Sequence, residues 1–373
     1  TYILFKNIKM SLKKVVFIVT NLNAGGIETD VLRFLRYYDG QLLPIVICKG
    51  NEYGDLYEEY QKIQNIKIIP MNLGYFNAFG FWFFKVFLDR ENPDSIVDFT
   101  GNFAGLPLFC GRMSGVRKRI AFYKQSSNIF KENFIKLWYN RWMRDLVYRN
   151  ATSILFNSRT AMNFFFKNKR IDDRFEVINN GIDIDIFLNT KDDLRQELGI
   201  PKDAFVIGNV GRYTEVKNQK AVLKVADSLC QRARDIYFVV CGKGVVDGLL
   251  PMIDGKPYRN HIKLLDVRKD IAKVLNTLDA FYLPSYTEGQ PNVLIENMLM
   301  GTPFIASDIM PIREMLPKEM LSNLVAPDDV ITASELLYRI YENKDNTNGE
   351  MMIQWAKKKF DAKHQFMQFY NKL

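Results

Sequence analysis

The chain has 373 residues, too many for one ordinary hydrophobic core and enough for two domains. Its composition, 47% hydrophobic and 25% charged, excludes a disordered or fibrous protein. The net charge of +9 bears on partners and not on fold.

Four cysteines (Cys48, Cys110, Cys230 and Cys241) lie far apart with no CxxC or Cys/His spacing. They read as buried thiols in a reducing compartment, not as bridges or zinc ligands. No segment reaches the roughly 20 apolar residues of a membrane-spanning helix. VVFIVT is too short, and FNAFGFWFFKVFL is interrupted by Lys85. The N-terminus lacks a signal-peptide cleavage pattern, and Met10 reads as a natural start just ahead of the first strand. The expected location is the cytoplasm, with peripheral binding at the inner face of the plasma membrane.

In chain order, VVFIVT, PIVIC, IKIIP, SIVDF, RIAFY and SILFN read as strands. Helical patterns over 28–38, 103–113 and 134–148 separate them, which argues for a parallel sheet covered on both faces. The turn-rich strip FEVINNGIDIDIF follows, then a polar helix over 191–198. The alternation restarts with AFVIGNV, DIYFVVCG, IKLLD, AFYLP and PFIASD, so a second doubly wound sheet is expected. The boundary falls near 179–189. A basic helical pattern over 351–373, with Trp355, Phe360, Phe366, Phe369 and Tyr370, is expected to pack back across the cleft. No internal repeat is visible.

Ligands of open α/β sheets sit outside the carboxyl ends of the strands, and several such ends carry marked residues. In NLNAGGIET, Gly25 and Gly26 let a ligand approach the start of a helix; the plainer reading is an ordinary turn. In GRYTEVKNQ, Gly211 frees the backbone while Arg212 and Lys217 bring two cations to a helix start. Cations are mildly unfavourable there, so an anion that completes the site is the alternative to two solvated charges. Gly242 in GKGVVDG permits a tight turn under a phosphate or sugar, but a lone GxG is weak evidence. In EGQPNVLIENMLMGTP, Pro291 opens a helix and Gly301 closes it. Glu288 precedes that helix in a turn with Gly289, and the N–H groups of Asn292 and its neighbours face the same crevice. Glu296 joins them only from the same helix face. Two carboxylates suit paired hydroxyls, so a sugar fits better than a nucleobase.

These motifs resemble the family-4 type of retaining glycosyltransferases with the GT-B fold (glycosyl transferases group 1), of the kind found in bacterial surface-polysaccharide biosynthesis. The spacing Glu288-GQPNVLI-Glu296 matches the family's Glu, seven residues, Glu. GRYTEVKNQ, VINNGIDIDIF and NLNAGGIET match its phosphate site, inter-domain strip and N-terminal Gly-Gly loop.

The resemblance implies two Rossmann-like domains facing a cleft. These are an acceptor domain over 1–182, a nucleotide-sugar domain over 183–350, and a C-terminal helix over 351–373 crossing back. It implies a UDP-sugar donor, with Glu296 on the ribose hydroxyls and Arg212 with Lys217 on the pyrophosphate. Glu288, Gly289, Gln290, Pro291, Asn292 and Val293 would hold the donor sugar. The base would lie against the backbone around Leu265, Val267 and Arg268. Gly25 and Gly26 would lie near the donor phosphate with Gly211 in the matched phosphate site, and Gly242 counts with them as a donor-binding position. Retention through front-face attack, with Glu288, Arg212 and Lys217 as the reacting set and neither metal nor cofactor, is likewise implied. Asp183-Ile184-Asp185 is a DxD of the metal-binding type, but it falls within the inter-domain strip.

The sequence departs from the family at AFYKQSSN, where many relatives carry a His. The only histidines are His261 and His364, so either Tyr123, Lys124, Gln125 or Ser126 stands in that role or the donor sugar differs at the position that His contacts. For the acceptor, the resemblance implies a glycan or a polyprenyl-diphosphate-linked sugar. Between 112 and 149 ten Lys/Arg face two acids, with Trp138, Tyr139, Trp142 and Tyr148 interleaved. Such a strip suits an anionic membrane surface; nothing else supports nucleic acid. The plainer reading has the aromatics in the core and the charges on one solvated face. Two alternatives to a transferase stay open: an inactive sugar-nucleotide-binding scaffold, and a sugar-nucleotide epimerase, which the poor His supply disfavours.

Overall fold

The computed structural model describes residues 12–74, 77–127, 134–343 and 348–373. The start expected at Met10 lies outside the described residues.

The first sheet has seven parallel strands: β1 (Lys13–Val19), β2 (Leu42–Cys48), β3 (Lys67–Pro70), β4 (Ser95–Asp98), β5 (Lys118–Tyr123), β6 (Ser153–Phe156) and β7 (Phe175–Val177). Their order is β3-β2-β1-β4-β5-β6-β7. The second sheet has six: β8 (Phe205–Val210), β9 (Ile236–Cys241), β10 (Ile262–Leu265), β11 (Ala280–Leu283), β12 (Phe304–Ser307) and β13 (Leu324–Val325). These are parallel too, in the order β10-β9-β8-β11-β12-β13. Helices cover both faces of each sheet, which is why strands such as Val15–Val19 and Phe238–Cys241 are apolar throughout and buried. In each sheet the strand order reverses beside the central strand, between β1 and β4 and between β8 and β11. Side chains carried at those two switch points can meet in one crevice.

The chain changes cores within a few residues. Ile178 packs with the first sheet's apolar cluster, while Ile182 packs with the second's. Residues 191–198, expected as a polar helix, form turns instead. The Leu194 N–H donates to Thr277 Oγ1 (2.9 Å), and the Arg195 guanidinium crosses to Asp279 (2.7 Å). These tertiary bonds override a segment too short to hold a helix alone. The strip read as turns contains β7, and β13 was not anticipated; three and two residues are too few for a sequence period to register.

The C-terminal pattern is two helices and not one. Gly349–Phe360 buries Met352, Ala356 and Phe360 against the second sheet. Asp361 then leaves helical geometry, and its side chain accepts from the Lys363 N–H to start Ala362–Tyr370. The break is held by Ile182, whose N–H donates to the Phe360 carbonyl (2.8 Å) and whose carbonyl accepts from Ala362 (3.1 Å). Phe366 and Phe369 thereby enter the core of the first sheet, their rings 5.6 and 4.7 Å from Phe34.

The aromatic interleaving over 134–149 divides between core and surface. Tyr139 is buried, and Tyr148 lies under the Arg174 guanidinium at 4.9 Å, while Trp138 and Trp142 are exposed. Among the described residues no helix is long and apolar enough to cross a membrane.

Removing the Phe366 ring leaves a cavity between the last helix and the first sheet. Phe366→Ala is expected to cost about 3–4 kcal/mol, read as a lower urea midpoint; a loss under about 1 kcal/mol would mean that this helix does not staple the sheet.

Candidate active site

Three loops from the second sheet meet two from the first. The loop after β8 carries Gly211, Arg212 and Lys217. Gln219 pins it by donating to the Gly211 and Arg212 carbonyls (3.1 and 3.0 Å), and Asn218, in the left-handed region at φ 52°, donates to Pro284 and Pro327. The Tyr286 N–H then donates to the Val216 carbonyl (2.8 Å). The cation loop and the Glu288 loop thus form one unit. Lys217 Nζ reaches Glu288 Oε1 at 2.6 Å, so two residues 71 apart in sequence form a half-buried ion pair.

Gly242 lies beneath this unit. At φ 151°, its missing Cβ would sit 2.1 Å from the Gly211 carbonyl oxygen, so only glycine allows the β9 turn to back onto the β8 turn. The Gly242 N–H donates to the Leu265 carbonyl (3.0 Å). Of the residues expected around a base, Val267 is exposed. The Arg268 side chain is turned away to Glu197 (2.6 Å) and Asp270 (2.7 Å), which raise its pKa.

The Gly25–Gly26 loop faces Arg212 directly. Arg212 Nη2 donates to the Ala24 carbonyl at 2.7 Å. A Cβ at Gly25 would lie 2.7 Å from Arg212 Nη2 and 2.6 Å from Glu28 Oε2. The helix Gly26–Tyr37 therefore aims its N-terminus at the Arg212 guanidinium, with no side-chain cap in the way. At the rim, Asp55 accepts from the Ala24 N–H (3.2 Å) and pairs with Lys243, whose hydrogen bond holds its carboxyl below the usual range. Helix Asn292–Met300 supplies a second N-terminus. Among the described residues, the N–H groups of Gly289, Gln290, Asn292 and Val293 find no acceptor. They form an array ready for anionic or hydroxyl oxygens.

Glu296 is buried and does not stand alone as a free diol acceptor. Arg33, from the Gly-Gly helix, donates to its Oε1 at 2.6 Å. Neither Arg33 nor its neighbour Asp30 was singled out from the sequence. Asp30 is buried, accepts from Asn292 Nδ2 (2.6 Å) and pairs with Lys124 (3.2 Å). Asn180 completes this seam, accepting from Lys124 (2.8 Å) and donating to Asn292 (2.7 Å) and to the Gln290 carbonyl (3.0 Å). Asp183 of the DxD serves as an N-cap, accepting from the Asp185 N–H at 3.2 Å.

Three of the four residues standing where relatives carry a His are already engaged. Tyr123 is buried with its hydroxyl donating to Asn102 (2.8 Å), Lys124 is in the seam, and Ser126 Oγ donates to the Glu288 carbonyl. Gln125 has no hydrogen bond among the described residues, and its Nε2 lies beside Gly101 at the β4 end. Half-buried Lys49 also lies there, donating to the Phe103 carbonyl (2.7 Å) and to Thr100 (3.3 Å), near the buried Asp98, whose carboxyl burial pushes up.

Glu28 was missed as well. Burial raises its pKa from the ordinary 4.5 to about 7, against the opposing pull of Arg212. The only sequence signal was its place two residues after the Gly-Gly pair.

The family model described as glycosyl transferases group 1 matches residues 190–359, and the one described as glycosyltransferase family 4 matches residues 24–186. EpsF of Bacillus subtilis (strain 168), named a glycosyltransferase, is 28% identical over 310 residues, 80% of each chain. The UDP-Gal:α-D-GlcNAc-diphosphoundecaprenol α-1,3-galactosyltransferase of Escherichia coli is 27% identical over 222 residues, 57% of each chain. Among solved structures, Anabaena HepE in complex with UDP and glucose superposes with a TM-score of 0.79 at 20% identity. The match covers 96% of this chain and 98% of HepE, a likeness of fold.

A folded pKa raised above the unfolded one means that the fold prefers the neutral Glu28 carboxyl. Its stabilising contribution is full below about pH 4.5 and is lost as pH rises through about 7. Glu28→Gln, which stays neutral, is expected to gain on the wild type by about 1–2 kcal/mol between pH 5 and 8 in urea titrations; parallel pH profiles would refute the shift.

Proposed function

The chain belongs to the family-4 type of glycosyltransferases with the GT-B fold, and from that premise we propose that it moves a sugar from a UDP-sugar to a glycan or polyprenyl-diphosphate-linked acceptor, with retention and without a metal. The observation that carries this reading is the meeting of Lys217, Glu288 and Arg212 with two open helix N-termini in one crevice.

The diphosphate lies between Arg212, Lys217 and the Gly25–Gly26 helix start. Breaking the bond from the anomeric carbon to phosphate puts negative charge on the leaving oxygen. Two cations and oriented N–H groups are already aimed there, which supplies the stabilisation a metal would otherwise give. The acceptor hydroxyl enters from the same face. Its oxygen bonds to the anomeric carbon, and its proton passes to the departing phosphate oxygen. Glu288 gives up part of its hold on Lys217 and accepts donor-sugar hydroxyls beside the Gly289 and Gln290 amides. Glu296 takes the ribose hydroxyls. Gln125, whose amide has no hydrogen bond among the described residues, takes the place of the His in relatives at the β4 and β5 ends.

The UDP moiety and the lipid-linked acceptor rest on likeness: HepE was solved with UDP, and the Escherichia coli relative is named for a UDP-Gal donor and a diphosphoundecaprenol acceptor. The surface agrees with such an acceptor. Helix Ala78–Glu91 exposes Phe79, Trp82 and Phe83, and helix Phe134–Asn150 exposes Phe134, Trp138 and Trp142 beside Arg141. Aromatic rings next to cations suit the headgroup level of an anionic leaflet.

A thermal-shift screen of UDP, GDP and ADP, with and without EDTA, tests the reading. Ligand at 100 times its dissociation constant adds about 2.7 kcal/mol. A UDP-specific, EDTA-insensitive shift is expected. No shift with any nucleotide would favour an inactive scaffold. Arg212→Ala and Lys217→Ala should each weaken UDP binding by about 1.5–3 kcal/mol in calorimetry, with unchanged affinity excluding a phosphate contact. Glu288→Ala should lose turnover more than UDP affinity; equal losses would move Glu288 to the nucleotide.

A further inference from the structure

Glu296 sits more than a turn inside helix Asn292–Met300 and is 4% exposed. A buried carboxylate needs partners for its oxygens. What faces it is a guanidinium from the other domain. Arg33 Nη2 donates to Glu296 Oε1 at 2.6 Å, while Glu296 Oε2 has no hydrogen bond among the described residues. Three residues earlier on the Arg33 helix, Asp30 accepts from Asn292 Nδ2 at 2.6 Å. The pair Asp30 and Arg33, one turn apart, therefore registers against Asn292 and Glu296, also one turn apart. Two helices from different domains are zipped by two polar contacts.

This zipper sets the Glu296 carboxylate in a single orientation. One oxygen is held by Arg33 and keeps room for a second donor; the other is left for the ligand. Arg33 Nη1 is buried without a partner, so the guanidinium is held by one end and is not saturated by a bidentate pair. A full fork on Glu296 would occupy both oxygens and close the site to hydroxyls.

We propose that Arg33 is a positioning residue for nucleotide recognition: reaching across the cleft, it holds Glu296 oriented so that the carboxylate accepts the two vicinal hydroxyls of the ribose. The proposal rests on the nucleotide-sugar reading above. It adds that selectivity for the diol is completed by the domain that does not itself bind the nucleoside.

The test uses the full chain and two probes, UDP and 2′,3′-dideoxy-UDP, with affinities measured by calorimetry. The wild type is expected to prefer UDP. Arg33→Met should weaken UDP by about tenfold, the scale of losing one hydrogen bond to a charged group, and leave dideoxy-UDP unchanged, collapsing the preference. Arg33→Lys, which keeps the charge, should recover part of it. A purely structural role would shift both nucleotides together. Equal losses for the two probes in Arg33→Met, or tighter UDP binding, overturn the inference while the nucleotide reading stands. A folded wild type that binds neither probe removes that reading and this inference with it. Circular dichroism of each variant confirms the fold; if Arg33→Met does not fold, Arg33→Lys decides, by whether the UDP preference narrows.

Discussion

The approach of Gly289 to the Lys124 carbonyl sets how far apart the two sheets stand, because a Cβ at position 289 would lie 2.2 Å from that oxygen. Everything in the crevice follows from this backbone contact. It brings the Glu288 carbonyl to Ser126 and sets Thr287 beside Ser127 at 3.0 Å. It also draws Gln290 and Asn292 within reach of Asn179, Asn180 and Asp30. A bulkier residue would part the carboxyl ends of the two sheets. The Lys217–Glu288 pair would then face only its own domain.

The electrostatics of the crevice is a set of local exchanges. Lys217 is matched by Glu288, Arg33 by Glu296, Lys124 by Asp30, and Lys243 by Asp55. Arg212 differs from these, since its hydrogen bond goes to the Ala24 carbonyl and the Glu28 carboxyl that interacts with it is pushed toward the neutral form by burial. The positive potential is therefore concentrated where two helix N-termini converge. This is where the proposed diphosphate would be received, offsetting the cost of cations at a helix start. Glu288 and Glu296, in turn, are each held by their cation through one oxygen, Oε1.

The same closeness is reinforced from outside the cleft. Glu314, on a helix of the second domain, accepts from the Arg159 and Thr160 N–H groups (2.6 and 2.8 Å) and so caps an N-terminal-domain helix. The last two helices divide their aromatic residues between the two cores, with the break at Asp361 fixed by Ile182. Each tie is worth little alone. Their effect comes from acting on two bodies already joined by one short strip of chain.

The sequence by itself determined the alternation of strands and helices, the two parallel sheets, and the loops that meet in the candidate site. Continuous apolar strands, Gly-Gly turns and the Pro291-to-Gly301 helix are local signals, set by backbone sterics and burial within a few residues. It also pointed to the candidate groups Arg212, Lys217 and Glu288 through their places at strand ends, and to Glu296 through its spacing from Glu288 in the helix that follows. The sequence could not reveal which group each of them meets, since Lys217 and Glu288, Arg33 and Glu296, and Lys124 and Asp30 are 71, 263 and 94 residues apart. The break at Asp361, the turns over 191–198 and the raised pKa of Glu28 likewise depend on neighbours from distant segments. Pairing across a cleft and the desolvation of a carboxyl are properties of packing, and only the tertiary structure decided them.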